Sequence, residues 1–300
     1  MDAVNLVCTL NGALCYTATR IITTEGAIEV FDDQVGSDRF VTHRKIDILE
    51  TALTRRNNPT IPQRALPVAC HLPSQDVGML ELGCSRGDIG LVLLNLPRII
   101  SNPDKYLFPA FTREVPAGIL RNARPISNYL GVDLDISLDD AWLLALWGLR
   151  DERRTRLASF YADFHPVDSH HFRRIQADAC VPSSYINQAL DFFRADTALV
   201  ILTSFMVYQL SHQQRLALIE AVHLIQNRFK QDRPDRKVLW LDQGMELEAM
   251  ITGAFHFSRC YLNRLWFEKD VLWGLPLARL AGDACEGWDT LEASPIVVRD

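Results

Sequence analysis

Short, continuous apolar runs alternate along this chain with longer stretches in which apolar positions recur every three or four residues. The segments at 78–82, 129–133, 174–178, 198–203 and 237–241 are strand candidates. Helical periodicity fills the spaces between them, and two helix starts are marked by caps. Ser137 stands three residues before Asp140, ahead of the face Trp142, Ala145, Leu149, Leu157, Phe160 and Phe164. Ser211 stands three before Gln214, ahead of Leu218, Ile219, Val222 and Ile225. Strands alternating with amphipathic helices predict an α/β fold with a doubly wound, mainly parallel sheet.

The flanks read differently. Residues 1–74 form an N-terminal extension, with a β-hairpin at 18–31 turning at Gly26 and a helix at 40–53 that carries Val41, Ile46, Ile48, Leu49 and Leu53. The prolines from Pro59 to Pro73 predict an irregular connection into the main domain at 75–300. From about Glu246 onward, aromatic-rich runs at 259–267, 278–281 and 287–291, with a turn at Lys269 and Asp270, predict short strands that extend the edge of the sheet.

Composition narrows the function classes. Hydrophobic residues at 48% and charged residues at 23% are ordinary for a folded globular domain. A net charge of -6 argues against nucleic-acid binding by bulk phosphate neutralisation. The apolar runs, 198–202 among them, are far below the ~20 residues of a membrane span. The amino terminus has no basic region before its apolar residues, so a cytoplasmic location is expected. Seven cysteines, Cys8, Cys15, Cys70, Cys84, Cys180, Cys260 and Cys285, never fall as C-x-x-C and read as buried thiols. His165, His170 and His171 lie in a polar segment without ligand-spaced partners, so no metal is expected.

Candidate chemistry gathers at strand ends. Glu81 closes the first strand, and Gly83 and Gly87 flank Cys84, Ser85 and Arg86 before a helix. Glycines at such a loop let the backbone turn sharply and approach a ligand, although a tight strand–loop–helix without a ligand reads the same way. The spacing E-x-G-x-x-x-G differs from the G-x-G-x-x-G of dinucleotide-binding domains. Asp133, with Asp135 just beyond it, is placed to accept from ribose hydroxyls, and Asp178, followed by Ala179, to face an adenine amino group. Each aspartate alone reads equally well as a turn or cap residue.

The run 81–87, the segment Gly131-Val132-Asp133-Leu134-Asp135, Gln176-Ala177-Asp178 and Thr203-Ser204 with Tyr208 to Ser211 resemble a large bacterial family of uncharacterised proteins. That family is similar to class I S-adenosylmethionine-dependent methyltransferases and carries a domain-of-unknown-function label. The resemblance spans about residues 75–290. It implies a Rossmann-like fold and an S-adenosylmethionine site formed by Glu81, Gly83, Cys84, Ser85, Arg86, Gly87, Asp133, Asp135, Asp178, Ala179, Thr203 and Ser204. It implies no acceptor; a small molecule is favoured.

Cys84 and Arg86 depart from the small residues usual in that loop. Arg86 either pairs with the methionyl carboxylate or points to solvent. A long segment, 95–128, is either a lid or a surface insertion. For relieving an acceptor of its proton, Tyr208 and His212 follow the fourth strand, and Asp242 and Glu246 follow the fifth. Two rivals stand beside the methyltransferase reading: a non-catalytic Rossmann-like binding or scaffold protein, and an NAD(P)-dependent oxidoreductase.

Overall fold

The computed structural model describes residues 62–107, 122–136, 152–194, 198–207, 210–244, 246–252, 260–280 and 288–299. The hairpin at 18–31, the helix at 40–53 and the Ser137 cap lie outside these residues. The chain divides into two compact units, Met1–Thr60 with Ser137–Ala162, and Ile61–Ile136 with Asp163–Asp300. The first unit contributes most of one described helix, Glu152–Asp163. Everything else described belongs to the second.

The second unit opens with a 3-10 turn, Pro62–Arg64, that runs into α1 (Ala65–Cys70). This corrects the expectation of an irregular connection through the prolines. Pro67 sits within the first turn of α1, where a missing N–H costs no helical bond. Then follow β1 (Val77–Leu82), α2 (Asp88–Leu94), α3 (Leu96–Ser101), α4 (Pro103–Tyr106) and β2 (Asn128–Asp133). With Glu152–Asp163 counted as α5, the chain continues through β3 (Phe172–Gln176), α6 (Ile186–Phe192), β4 (Ala198–Ser204), α7 (His212–Asp232), β5 (Lys237–Gly244) and α8 (Leu247–Thr252). It closes with β6 (Cys260–Glu268), β7 (Val271–Leu280), β8 (Trp288–Thr290) and β9 (Ile296–Arg299). The 95–128 segment thus carries α3 and α4, and its residues 108–121 lie outside the description.

The strands form one sheet in the order β3-β2-β1-β4-β5-β6-β7-β8, with β9 also on β7. The first five are parallel and the remainder antiparallel. The mostly parallel sheet and its helices are compatible with a Rossmann-like fold. Every residue of β1 is buried, as expected of a parallel strand covered on both faces.

On one face Leu80, Leu82, Leu130, Val132, Leu199, Ile201 and Trp240 pack against residues of α6, α7 and α8. Over the β2 region of the sheet lies α2. Both bonds of the expected capping box start α7: Gln214 N–H donates to Ser211 Oγ at 3.3 Å, and Ser211 N–H to Gln214 Oε1 at 3.0 Å.

β3 ends two residues earlier than the sequence predicts. Gln176 faces Asp133, the last residue of β2, so its neighbour's ladder stops there. At the other end the β6–β7 hairpin turns on Lys269 and Asp270, whose φ values of 50° and 69° match a tight two-residue turn. β7 runs over 271–280, longer than the expected 278–281, and its outer side meets β8 through 278–280 and β9 through 272–274.

β1 lies between β2 and β4, so the connections leaving β1 and β4 diverge. In open α/β sheets a crevice forms outside the carboxyl ends of strands at such a switch point.

Candidate functional site

The loop after β1 is shaped by its backbone. Gly83, Ser85 and Gly87 all hold left-handed conformations, with φ of 78°, 52° and 84°. A Cβ at Gly83 would collide with Met206 Sδ, and one at Gly87 would stand 2.9 Å from the Phe172 ring, so conformation and space both require glycine. Gly83 N–H donates to Val132 O at 2.8 Å, tying the turn to β2. Asp133 holds the middle of the loop: its Oδ2 accepts from Ser85 N–H at 2.6 Å and its Oδ1 from Asp135 N–H at 3.1 Å. Burial pushes the Asp133 carboxyl up, against the pull of these amide donors. Sequence places Asp133 at a ribose; in the structure it accepts from amides of the loop and of its own chain, and its fourth acceptor site remains.

Beneath the loop lies a buried acid. Glu81 is 2% exposed and its Oε2 accepts from Tyr129 Oη at 2.5 Å. Desolvation pushes its carboxyl up to about 8, so near neutral pH it is mostly protonated. Glu81 is therefore held under the turn, joining β1 to β2. Burial also drives the Cys84 thiol well above its ordinary range, which makes it a packing residue.

Arg86 takes neither of its two expected positions. At 1% exposure it turns inward, Nη1 pairing with Asp88 Oδ1 at 2.5 Å and Nη2 donating to Phe164 O at 2.9 Å. Both charges are desolvated, so each needs the other. The guanidinium serves to brace the loop against the start of α2.

The loop after β4 is built from side chains. Thr203 is fully buried, donating Oγ1 to Asp242 Oδ1 at 2.6 Å and accepting from Trp240 Nε1 at 3.2 Å. Its hydroxyl is thus engaged within the sheet, where Thr203 faces Asp242 and Asp242 faces Asn263. Burial pushes Asp242 up to about 7, with the Thr203 and Asn263 hydrogen bonds opposing. Ser204 Oγ donates to Gln243 Oε1 at 3.0 Å. Gln243 in turn donates Nε2 to Arg64 O at 2.8 Å and accepts Phe205 N–H on its own carbonyl at 2.6 Å. Phe205, left-handed at φ 50°, lies under the Arg64 guanidinium at 4.3 Å. Met206 follows and covers Gly83.

The remaining sequence candidates scatter. Asp178 is exposed and turns the chain beyond β3, its Oδ1 accepting Cys180 N–H at 2.8 Å. Ala179 is buried, and its carbonyl accepts Tyr185 Oη at 2.8 Å. Leu134 and Val181, just beyond Asp133 and Asp178, are 67% and 46% exposed. His212 opens α7 on the exposed surface, Asp135 and Glu246 are half-buried, and Tyr208 lies outside the described residues. Among the described residues no group of three or more His, Cys, Asp or Glu side chains is placed to hold a metal ion, and no helix is long and apolar enough to cross a membrane.

Sequence reasoning missed Met206, Gln243, Arg64 and Gln63. Gln63 is fully buried in the 3-10 turn, with neither its amide nitrogen nor its oxygen hydrogen-bonded among the described residues. Only Met206, two residues beyond β4, carried a local signal, because the switch-point rule directs attention to that loop.

Compared with known proteins, the chain matches no family model, and a search of curated proteins gives no match.

Proposed function

We propose that this chain is an S-adenosylmethionine-dependent methyltransferase of a small-molecule acceptor, with the cofactor site at the β1/β4 switch point. One observation carries the reading: the left-handed glycine loop after β1 meets the carboxylate that ends β2, Ser85 N–H on Asp133 Oδ2 at 2.6 Å. A ribose placed beside that loop finds an acid with spare acceptor capacity. The exposed apolar side chains of Leu134 and Val181 offer a surface for a base. Arg86, the loop's bulkiest departure, is turned into the protein and leaves the crevice to smaller groups.

The antiparallel β6 on β5 counts against a nicotinamide oxidoreductase, whose sheet ordinarily continues in parallel to a sixth strand. Bound at this site, S-adenosylmethionine supplies an activated methyl group. The chain's own part is to hold the cofactor through Gly83–Gly87 and Asp133 and to align an acceptor, since methyl transfer depends chiefly on positioning.

A second reading is a Rossmann-like binding or scaffold protein without catalysis, in which Met206 packs permanently on Gly83.

Thermal shift with S-adenosylmethionine, S-adenosylhomocysteine and NAD separates the readings, because a ligand that binds the folded state raises the melting temperature. Stabilisation by both sulfur ligands is expected. No response to either removes the methyltransferase reading, and a response to NAD alone replaces it with the oxidoreductase. Sulfur-ligand binding without methyl transfer to any acceptor pool selects the binding protein.

A further inference from the structure

A cavity of about 400 Å³ opens at the amino ends of β2 and β3, the opposite ends of the strands from the crevice after β1 and β4. Its apolar wall is made by Leu91 and Leu94 of α2, Ile126 before β2 and Phe172 at the start of β3. Asn95, at the end of α2, adds a polar group, and so do His165, Ser169 and His171 from the segment leading into β3. All of these residues belong to the second unit. The polar segment that holds His165 and His171 in the sequence thus becomes one wall of a cavity.

The volume lies within the range of small-molecule sites, about 300–1,000 Å³. No Lys, Arg, Asp or Glu is among the described residues that line it. A phosphate, carboxylate or ammonium would find no permanently charged partner there, so the lining suits a neutral occupant.

The hydrogen-bonding capacity of the wall is specific. Ser169 Oγ accepts from the N–H groups of His171 and Phe172, at 3.3 and 3.1 Å, so its own proton is what it has to give. His171 Nδ1 meets Asn128 Oδ1 at 2.9 Å. An amide oxygen only accepts, so Nδ1 carries the proton of the neutral ring and Nε2 holds the lone pair. A donor and an acceptor therefore sit two residues apart, held together by the bond from His171 N–H. A hydroxyl matches both, because it accepts and donates through one oxygen. Flat rings suit a wall that itself contains the Phe172 ring.

We propose that this cavity binds a neutral aromatic molecule of one or two rings through a hydroxyl, which donates to His171 Nε2 and accepts from Ser169 Oγ. The rings lie against the apolar wall. This is a second site, and its role does not depend on what the crevice holds.

Three probes test it: 2-naphthol, 2-methoxynaphthalene, which keeps the rings and the oxygen but has no proton to donate, and 2-naphthoate, which carries a charge. Equilibrium dialysis against the wild-type chain is expected to show naphthol binding most tightly and the carboxylate least. The gap between naphthol and the ether should be roughly two- to tenfold, the range of a neutral hydrogen bond. His171→Phe, at an exposed position, should bring naphthol down to the ether and leave the ether unchanged. Leu94→Trp should weaken both by filling the cavity. If its melting shows that α2 does not tolerate the change, Val167→Trp, at a lining position that is 70% exposed, takes its place.

Naphthol that binds no more tightly than the ether, or whose advantage survives His171→Phe, overturns the assignment. Undiminished binding by a folded cavity-filling variant does so too, because it puts the molecule elsewhere on the chain. Tighter binding of the carboxylate than of naphthol replaces the proposal with an anion site, and no binding of any probe removes the site.

Discussion

After β1 the chain turns through backbone: three left-handed residues within five positions, their amides fixed by Val132 O and the Asp133 carboxylate. After β4, on the other side of the same crevice, side chains add to the backbone: the Gln243 amide ties Ser204 to the distant Arg64, while Phe205 N–H meets the Gln243 carbonyl. Each side also hides an acid that accepts a neutral hydroxyl, Glu81 from Tyr129 and Asp242 from Thr203. A backbone-built loop keeps its shape when side chains around it move. A loop built on one glutamine depends on a contact that forms only once the chain has closed over 179 positions of sequence.

Titration of the two acids separates the sides most widely. Both carboxyls are raised on folding, Glu81 from 4.5 to about 8 and Asp242 from 3.8 to about 7. In those windows the folded state binds more protons than the unfolded one. Their contribution is therefore complete below the unfolded value and is lost as pH climbs through the folded one. The loss is on the order of 1 kcal/mol per pH unit for each group within its window. Urea unfolding from pH 5 to 8 should show Glu81→Gln gaining on wild type up to pH 8, and Asp242→Asn gaining only to about pH 7. Curves that run parallel to wild type would remove the argument for protonated acids beneath both loops.

The next effect tests the backbone side alone. Gly83→Ala should lower stability by about 2–4 kcal/mol, through a collision with Met206 and through its left-handed φ. Repeated in a Met206→Ala chain, the same change should cost only about 1–2 kcal/mol, the conformational part. Equal losses in both chains would mean that Met206 does not press on Gly83.

On the side-chain-built loop, Gln243→Ala should destabilise by about 2 kcal/mol, because it removes the bonds to the Arg64 carbonyl and the Ser204 hydroxyl and leaves a hole. Smallest is Phe205→Leu, expected near 1 kcal/mol from the lost ring beneath Arg64. A Gln243→Ala loss no greater than that of Phe205→Leu would show that the glutamine is not the tie of this loop.

The same contrast explains what could be read in advance. The glycine loop, the five parallel strands, the Ser211–Gln214 capping box and the Lys269–Asp270 turn are local, each set by residues within a few positions, and each is visible in the sequence. The end of β3 differs by two residues from the sequence expectation because it is decided by where β2 stops, a partner more than forty positions away. Asp133 was found as a strand-end acid, but its bond to Ser85 N–H depends on the register of β1 against β2. Arg86 looked outward because nothing in its own loop announces Phe164 O, 78 residues on. Gln63 and Arg64 stood among prolines that suggested irregular chain, whereas Pro62 and Pro67 fall at a turn and in a first helical turn, where proline is tolerated.

The far end of the sheet carries a separate consequence. β7 is long and largely apolar, and its outer side is shared by two short strands, β8 on 278–280 and β9 on 272–274. Pro276, in the gap between them, has no N–H to offer. A strand of this kind left bare would be a template for the edge of another molecule. Covered in two pieces and interrupted by proline in the middle, β7 gives an incoming chain no continuous row of donors and acceptors to recruit.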